Sequence, residues 1–177
     1  MLASNKKITR THYIVFFIWL IFTFIFTVYF ITGRLAPFDP LNRLTGKDSS
    51  LLMAELKQME GLKGVNLNQT IIHFTSDGCT CSQYSEEHKN IINQQAEVDG
   101  FNVINIELPE NVSTIIPSTP AILIISKTED LLYLGPYSVG LACSESNGFI
   151  EIVMKNYMKG YSASMIVNDA KGCYCNT

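Results

Sequence analysis

The chain has 177 residues, with 13 basic and 16 acidic side chains and a formal net charge of −3. This balance excludes a strongly basic nucleic-acid-binding protein, and we expect no nucleic-acid partner. An apolar fraction of 47% excludes a disordered acidic polymer, and the length allows one domain with an appendage. A charged fraction of only 16% predicts that part of the chain lies outside water.

That part is an uncharged stretch at residues 13–32, which follows a basic segment at residues 1–12. A helix of this length covers roughly 30 Å, the thickness of the hydrocarbon core of a bilayer. The apolar region of a cleaved signal peptide is shorter, at about 7–15 residues. We therefore predict a transmembrane helix at 13–32, in preference to a signal peptide or a buried core helix. The flanking basic residues lean towards a cytoplasmic N-terminus.

The residues after this helix divide into a linker and a soluble domain. Residues 33–48 contain Pro37, Pro40 and Gly46 and have no apolar period, so we predict a linker there. The soluble domain is predicted to occupy residues 49–177. Its first element is a short helix that begins at Ser49 or Ser50, either of which could cap it, and ends before Gly61.

The rest of the domain alternates between strands and helices. The patterns predict strands at 70–75, 102–108, 121–126 and 131–134, and helices at 82–98 and 149–158. A strand–helix–strand unit implies a parallel pair with a right-handed crossover, whereas the last two strands form a hairpin. We therefore predict an α/β fold with a mixed sheet and helices on both faces.

Two cysteines, Cys79 and Cys81, lie between the end of the first of these strands and the start of the polar helix. Unpaired N–H groups and the helix dipole at this position stabilise a thiolate, which is the species that attacks disulfides. The alternatives are two small buried residues or a static disulfide. Thr119 and Pro120 lie about forty residues further on, directly before a strand. A proline there is explained by a cis peptide bond or by an ordinary trans proline at a strand start.

This order and spacing resemble the thioredoxin-like superfamily over roughly residues 66–159. The resemblance implies that Cys79 is the attacking thiol, because it is the more exposed of the two at the turn in this fold. It also implies that Cys81 resolves the mixed disulfide, and that Thr119 and Pro120 present backbone atoms to an extended substrate segment. The expected activity is that of a thiol–disulfide oxidoreductase or isomerase acting on protein thiols or disulfides, without a cofactor.

The overall layout also resembles an uncharacterised family of bacterial membrane-anchored thioredoxin-like proteins. A Gly-Pro-Tyr-Ser loop, here at 135–138, and a Cys-x-Cys tail, here at 173–175, also recur in that family. This resemblance implies a single-pass protein of the bacterial inner membrane, which is its partner through residues 13–32, with the soluble domain in the periplasm.

The cysteine spacing departs from the usual Cys-x-x-Cys of the superfamily. Side chains two residues apart on a helix point about 200° apart. A bridge between Cys79 and Cys81 would therefore form outside the helix or under strain, and strain would make it oxidising.

The other three cysteines are expected to be auxiliary thiols. Cys143 could be a third thiol near the site. Cys173 and Cys175 lie on a flexible tail and could either pass electrons to Cys79 and Cys81 or pair with Cys143. Five cysteines leave at least one thiol free in a monomer, and this cysteine usage suits an oxidising compartment.

Two other classes of function stay open. The two Cys-x-Cys motifs, with His73 and His88, could bind or deliver a soft metal such as Cu(I) or Zn²⁺, although we assign no metal ligand from the sequence. Each histidine is more simply explained as a packed side chain. The third class is a non-catalytic interaction domain that keeps the fold without the chemistry.

Overall fold

A computed structural model of the chain describes residues 10–33, 35–109, 114–140 and 148–177. The chain divides between residues 34 and 35 into two compact units. The first contains helix α1 (Arg10–Thr32), which includes the predicted stretch 13–32. By length and composition α1 could span a membrane, and none of its residues is buried.

The second unit is a mixed α/β domain, as predicted. Its helices are α2 (Ser49–Leu56), α3 (Thr80–Asp99) and α4 (Phe149–Met158). Its longer strands are β2 (Thr70–Ser76), β3 (Asn102–Leu108), β5 (Ala121–Ile125) and β6 (Leu131–Pro136). Its two-residue strands are β1 (Ala36–Pro37), β4 (Ser118–Thr119), β7 (Met165–Ile166), β8 (Lys171–Gly172) and β9 (Cys175–Asn176).

The main sheet has the strand order β3-β2-β5-β6-β7. Strands β2 and β3 are parallel and are joined by α3, whereas β5 is antiparallel to both β2 and β6. Strand β7 completes the sheet as a parallel neighbour of β6. The mixed sheet and the hairpin of β5 and β6 are therefore confirmed.

Alternate residues of the buried strands point to opposite faces of the sheet, as the period of two requires. On one face, Ile72, Phe74 and Leu123 pack in a cluster that includes residues of α2. On the other face, Ile71 and Ile122 pack in a cluster that includes residues of α3 and α4. Both faces are therefore covered by helices, as expected from the order of elements.

The predicted linker is part of the folded domain from Leu35 onwards. Phe38 and Leu44 are buried in the domain core, although their spacing follows no helical or strand period. The carboxylate of Asp39 accepts hydrogen bonds from the main-chain N–H groups of Arg43 and Leu44, each at 2.8 Å. These bonds shape the loop that brings both apolar side chains inwards, so residues 35–48 are part of the folded domain.

The start of α2 also differs in detail. Neither Ser49 nor Ser50 caps the helix; instead, the side chain of Asp48 accepts a hydrogen bond from the main-chain N–H of Ser50 at 3.1 Å. Aspartate is as good an N-cap as serine, because its oxygen satisfies a free N–H of the first turn. The helix ends at Leu56 rather than just before Gly61.

The sequence predicts a flexible tail, but the tail, defined here as residues 171–177, is paired with the rest of the domain. Strand β8 is antiparallel to β1, with Gly172 opposite Ala36. Strand β9 is antiparallel to β4, with Cys175 opposite Thr119. The two short pairings bring the second Cys-x-Cys motif to the end of β2, where α3 begins.

Candidate functional site

The candidate site lies at the N-terminus of α3, where the chain turns out of β2. Gly78 adopts a left-handed φ of 69° in this turn, a conformation that favours glycine. Cys79 is the N-cap residue of α3 and Cys81 lies in its first turn. The local sequence thus places both sulfur atoms near the free N–H groups and the positive end of the helix dipole.

Both cysteines are bonded to the tail and not to each other. Cys79 forms a disulfide with Cys175, and Cys81 forms one with Cys173, with Cα–Cα distances of 6.0 and 5.6 Å. The expected Cys79–Cys81 bridge is therefore absent from this state, and the oxidising character expected from its strain does not apply to it. The structure thus joins Cys173 and Cys175 covalently to the helix cysteines, a pairing that the sequence did not predict.

The four sulfur atoms form one cluster. The Sγ atoms of Cys79, Cys81 and Cys175 all lie within 4.8 Å of one another, and Cys173 is bonded to one of them. Cys79 and Cys81 are each only 8% exposed, so Cys79 is not the more accessible of the two in this state. The predicted auxiliary thiol Cys143 lies outside the described residues.

Thr119, the residue before Pro120, lies beside Cys79. The Thr119–Pro120 peptide bond is cis. The main-chain oxygen of Thr119 is 3.7 Å from Sγ of Cys79. The side-chain hydroxyl of Thr119 is 2.6 Å from the hydroxyl of Ser76. The same Thr119 is paired with Cys175, so the tail occupies the strand edge that was predicted to receive substrate.

A set of contacts that the sequence did not predict holds the tail in place. The half-buried Arg43 donates from Nη1 to the main-chain oxygen of Thr114 and from Nη2 to that of Thr177, each at 3.0 Å. The ring of Tyr174 packs edge-on against Phe38, and its hydroxyl donates to the main-chain oxygen of Ser138 at 2.7 Å. No local sequence pattern signals these contacts, because they join segments far apart in the chain.

A cleft of about 300 Å³ lies next to the Cys79–Cys175 bond. Its walls include Ser76 and Asp77 at the end of β2 and Pro109 directly after β3. The tail contributes Asn176 and Thr177. This cleft is large enough for a small thiol reagent and borders the half-buried Cys175, so it offers a route to the Cys79–Cys175 bond although Cys79 is buried.

The two histidines considered as metal ligands have other partners. His73 lies 2.8 Å through Nε2 from the side-chain oxygen of Asn93, and its Nδ1 is hydrogen-bonded to the hydroxyl of Tyr137. His88 pairs through Nε2 with Glu151 at 2.5 Å. Burial lowers the pKa of His73 to about 4, so its imidazole is neutral at physiological pH. Among the described residues, neither histidine belongs to the sulfur cluster. Both are buried side chains packed in the domain, which is the simpler of the two explanations from the sequence.

Comparison with protein families gives one match. Residues 49–177 match the family described as a domain of unknown function (DUF6436), and the match covers α2 to β9 with all four clustered cysteines. Comparison with curated proteins finds no match, and comparison with solved structures finds none.

Proposed function

We propose that this chain, which belongs to the DUF6436 family, is a membrane-anchored thiol–disulfide exchange protein of the thioredoxin-like superfamily. One observation carries the proposal: two Cys-x-Cys motifs are joined by disulfides at a helix N-terminus, beside a strand edge able to take an extended peptide. A purely structural staple would not need four sulfur atoms close enough to exchange partners.

The order of elements supports the thioredoxin-like part of the proposal. The parallel strands β2 and β3 flank α3, and the hairpin of β5 and β6 follows Thr119 and Pro120. Helix α4 comes next. This is the order that the resemblance implied for the cysteine pair, the proline, the hairpin and the final helix.

The first chemical step is attack on the accessible bond by a substrate dithiol. One substrate thiolate attacks Sγ of Cys79 through the cleft; a substrate–Cys79 disulfide forms, and Cys175 leaves as a thiolate that takes up a proton. The second substrate thiol, on losing its proton, attacks the substrate sulfur of this mixed disulfide and releases Cys79 as a thiolate. The substrate is oxidised to a disulfide, and the Cys79–Cys175 pair gains two electrons and one proton, which leaves Cys79 as a thiolate and Cys175 as a thiol.

The second step is exchange within the cluster. The Cys79 thiolate is stabilised by the N-terminus of α3 and lies within 4.8 Å of Sγ of Cys81. Its attack forms a Cys79–Cys81 bond and breaks the Cys81–Cys173 bond, so that Cys173 leaves as a thiolate and takes up a proton. The number of disulfides is unchanged in this step. The bridge expected from the sequence is therefore proposed as a second state of the same four cysteines.

In this mechanism the tail is the internal partner of the exchange site. Cys175 lies opposite Thr119, in the position in which an extended protein substrate would pair with the same backbone. A protein substrate must therefore displace β9 before it can use Thr119 and Pro120. Small thiols can react through the cleft while β9 stays in place. Only a protein substrate therefore requires displacement of the tail.

We further propose that α1 anchors the protein in the bacterial inner membrane and that the domain lies in the periplasm. The length and apolar composition of α1 support the anchor. Two disulfides in one small domain support an oxidising compartment, because cytosolic thiols are kept reduced. Carbonate extraction and protease treatment of spheroplasts would test the anchor and the side of the membrane, respectively.

The exchange activity is tested with the full chain in detergent. The oxidised protein is mixed with a reduced, unfolded protein substrate, and disulfide formation in the substrate is followed by alkylation and mass spectrometry. We expect Cys79→Ser to abolish the reaction. Thr80→Ala changes the exposed side chain between the two cysteines and serves as the matched control, which should react like the wild type. A wild type as inert as Cys79→Ser would instead support the non-catalytic interaction domain.

A further inference from the structure

We propose that the fully reduced chain binds one Zn²⁺ ion through the four thiolates of Cys79, Cys81, Cys173 and Cys175. This is a second property of the cluster, and it needs reduction of the two disulfides but no exchange activity. It also differs from the metal site considered from the sequence, because it uses the two Cys-x-Cys motifs without either histidine.

The sulfur positions are close to those of a tetrahedral site. A Zn–S distance of about 2.3 Å places the four sulfur atoms about 3.8 Å from one another. Three of the sulfur atoms already lie within 4.8 Å of one another. A disulfide bond holds its two sulfur atoms at about 2.05 Å, so each bonded pair must open by less than about 2 Å once its bond is broken. Rotation of the cysteine side chains supplies a movement of this size without a change of backbone.

The backbone that carries the ligands is held without the disulfides. Strand β9 stays paired with β4 through main-chain hydrogen bonds, and β8 stays paired with β1. Arg43 donates a hydrogen bond to the main-chain oxygen of Thr177 at the end of the tail. Tyr174, which lies between the two tail cysteines, packs against Phe38. Reduction therefore leaves Cys173 and Cys175 facing α3, so the ligand set is assembled before the ion arrives.

The chemistry of the donor set selects the ion. Four thiolates in tetrahedral arrangement are the ligand set of closed zinc sites, which keep no open position for water. The N-terminus of α3 favours negative charge at Cys79 and Cys81, which lowers the cost of deprotonating two of the four ligands. The other two ligands come from the half-exposed tail, which gives the ion a route into the site.

The steps balance with a dithiol as the reductant. Two dithiol molecules reduce the two protein disulfides to four thiols and are themselves oxidised to two disulfides. Binding of Zn²⁺ then forms four Zn–S bonds and releases the four thiol protons. The ion and the disulfides compete for the same sulfur atoms, so the cluster exists either as two disulfides or as a metal site. Zn²⁺ should therefore make the disulfides easier to reduce.

The test uses the full chain in detergent, reduced under nitrogen and freed of reductant. Co²⁺ is titrated in as a spectroscopic probe, followed by Zn²⁺. We expect the visible bands of tetrahedral Co²⁺–thiolate to saturate at one equivalent and to disappear when Zn²⁺ displaces Co²⁺. The oxidised wild-type chain, which has the same sequence, should give no bands. Cys81→Ser and Cys173→Ser should each weaken Zn²⁺ binding by more than about tenfold, and Thr80→Ala should not.

Several results would overturn the proposal. The first is an absence of bands from a reduced wild type whose circular dichroism matches that of the oxidised protein. The second is wild-type affinity in Cys173→Ser, which would remove the tail from the ligand set. Binding of Cu(I) without binding of Zn²⁺ would overturn the four-thiolate zinc assignment. Each readout is separate from disulfide transfer, so the exchange proposal can fail while the metal proposal stands, and the reverse.

Discussion

Cys175 is held by two neighbouring residues at once, through its main chain by Thr119 and through its side chain by Cys79. The first contact is a main-chain strand pairing, which reduction does not cleave, and the second is a covalent bond, which reduction breaks. Docking of the tail and oxidation of the cysteines are therefore separate equilibria that share one residue.

Loss of the Arg43 side chain should loosen the tail without touching a cysteine. Arg43→Ala removes three charge-assisted hydrogen bonds, one to Thr114 and two to Thr177. Loss of about 1.4 kcal/mol of docking free energy would raise the population of the undocked tail roughly tenfold. Since a protein substrate must displace β9 before it can react, we expect a similar increase in the rate at which a reduced, unfolded protein substrate reduces the Cys79–Cys175 bond, measured by alkylation and mass spectrometry.

Lys57→Ala is the matched control for Arg43. Lys57 is also basic and also paired, but with Glu129, and it makes no described contact with the tail. Its reduction rate should equal that of the wild type. Equal rates for Arg43→Ala and wild type would show that the guanidinium does not control access to the site.

The two disulfides should contribute to stability in a strongly non-additive way. Their sequence separations are 96 and 92 residues, and one loop lies inside the other. Once either bond is present, the second closes a ring of only six residues, 79–81 and 173–175. In the chain-entropy model, removal of one bond costs about 2 kcal/mol of unfolding free energy, whereas removal of both costs about 7 kcal/mol.

Urea unfolding, followed by circular dichroism, tests this relation. Cys79 and Cys175 are replaced by alanine in one variant, Cys81 and Cys173 in a second, and all four in a third. The reduced wild type should be about as stable as the third variant in the absence of metal. A second variant that is as unstable as the third would contradict the nested-loop explanation.

His73 should make the folded domain sensitive to mild acid. Its pKa is about 4 when folded and 6.5 in the reference state, because burial disfavours the charged imidazolium. The unfolded chain therefore binds a proton at a pH where the folded chain does not, and stability is lost as the pH falls from about 6.5 towards 4. The expected loss from this residue between pH 7 and pH 5 is about 2 kcal/mol.

The unfolding free energy at pH 7 and at pH 5 provides the measurement. His73→Gln keeps a polar side chain beside Asn93 but cannot titrate, so its stability should fall by about 2 kcal/mol less than that of the wild type over the same range. Comparison of the two pH differences removes the static cost of the substitution. Identical differences would mean that His73 does not govern the response to acid.

The sequence was informative wherever the signal was local. Alternating or continuous apolar runs define β2, β3 and β5, and the position of Cys79 between a strand and a helix follows directly from them. The partner of Cys79 lies 96 residues away, and no periodicity connects the two. For the same reason the sequence predicts a linker around Phe38 and Leu44, since two isolated apolar residues among prolines do not reveal that they close one face of the core.

Arg43 shows the same limit at the level of a single side chain. In the sequence Arg43 is one of several basic residues after the apolar stretch, and as such it indicates only positive charge beside the membrane. Its planar guanidinium in fact bridges two chain segments that meet only in the folded domain. Contacts of this kind depend on tertiary geometry, which composition and spacing do not encode.

The nested disulfides give the domain the covalent topology of a closed ring. Every residue between Cys81 and Cys173, and so most of the sheet, lies inside a loop fastened at both ends. A single proteolytic cut within this loop opens the ring but releases no fragment while the bonds are intact, and all parts stay covalently attached to α1. In the oxidised state, release of a fragment from within this loop therefore requires two cuts, whereas after reduction one is enough.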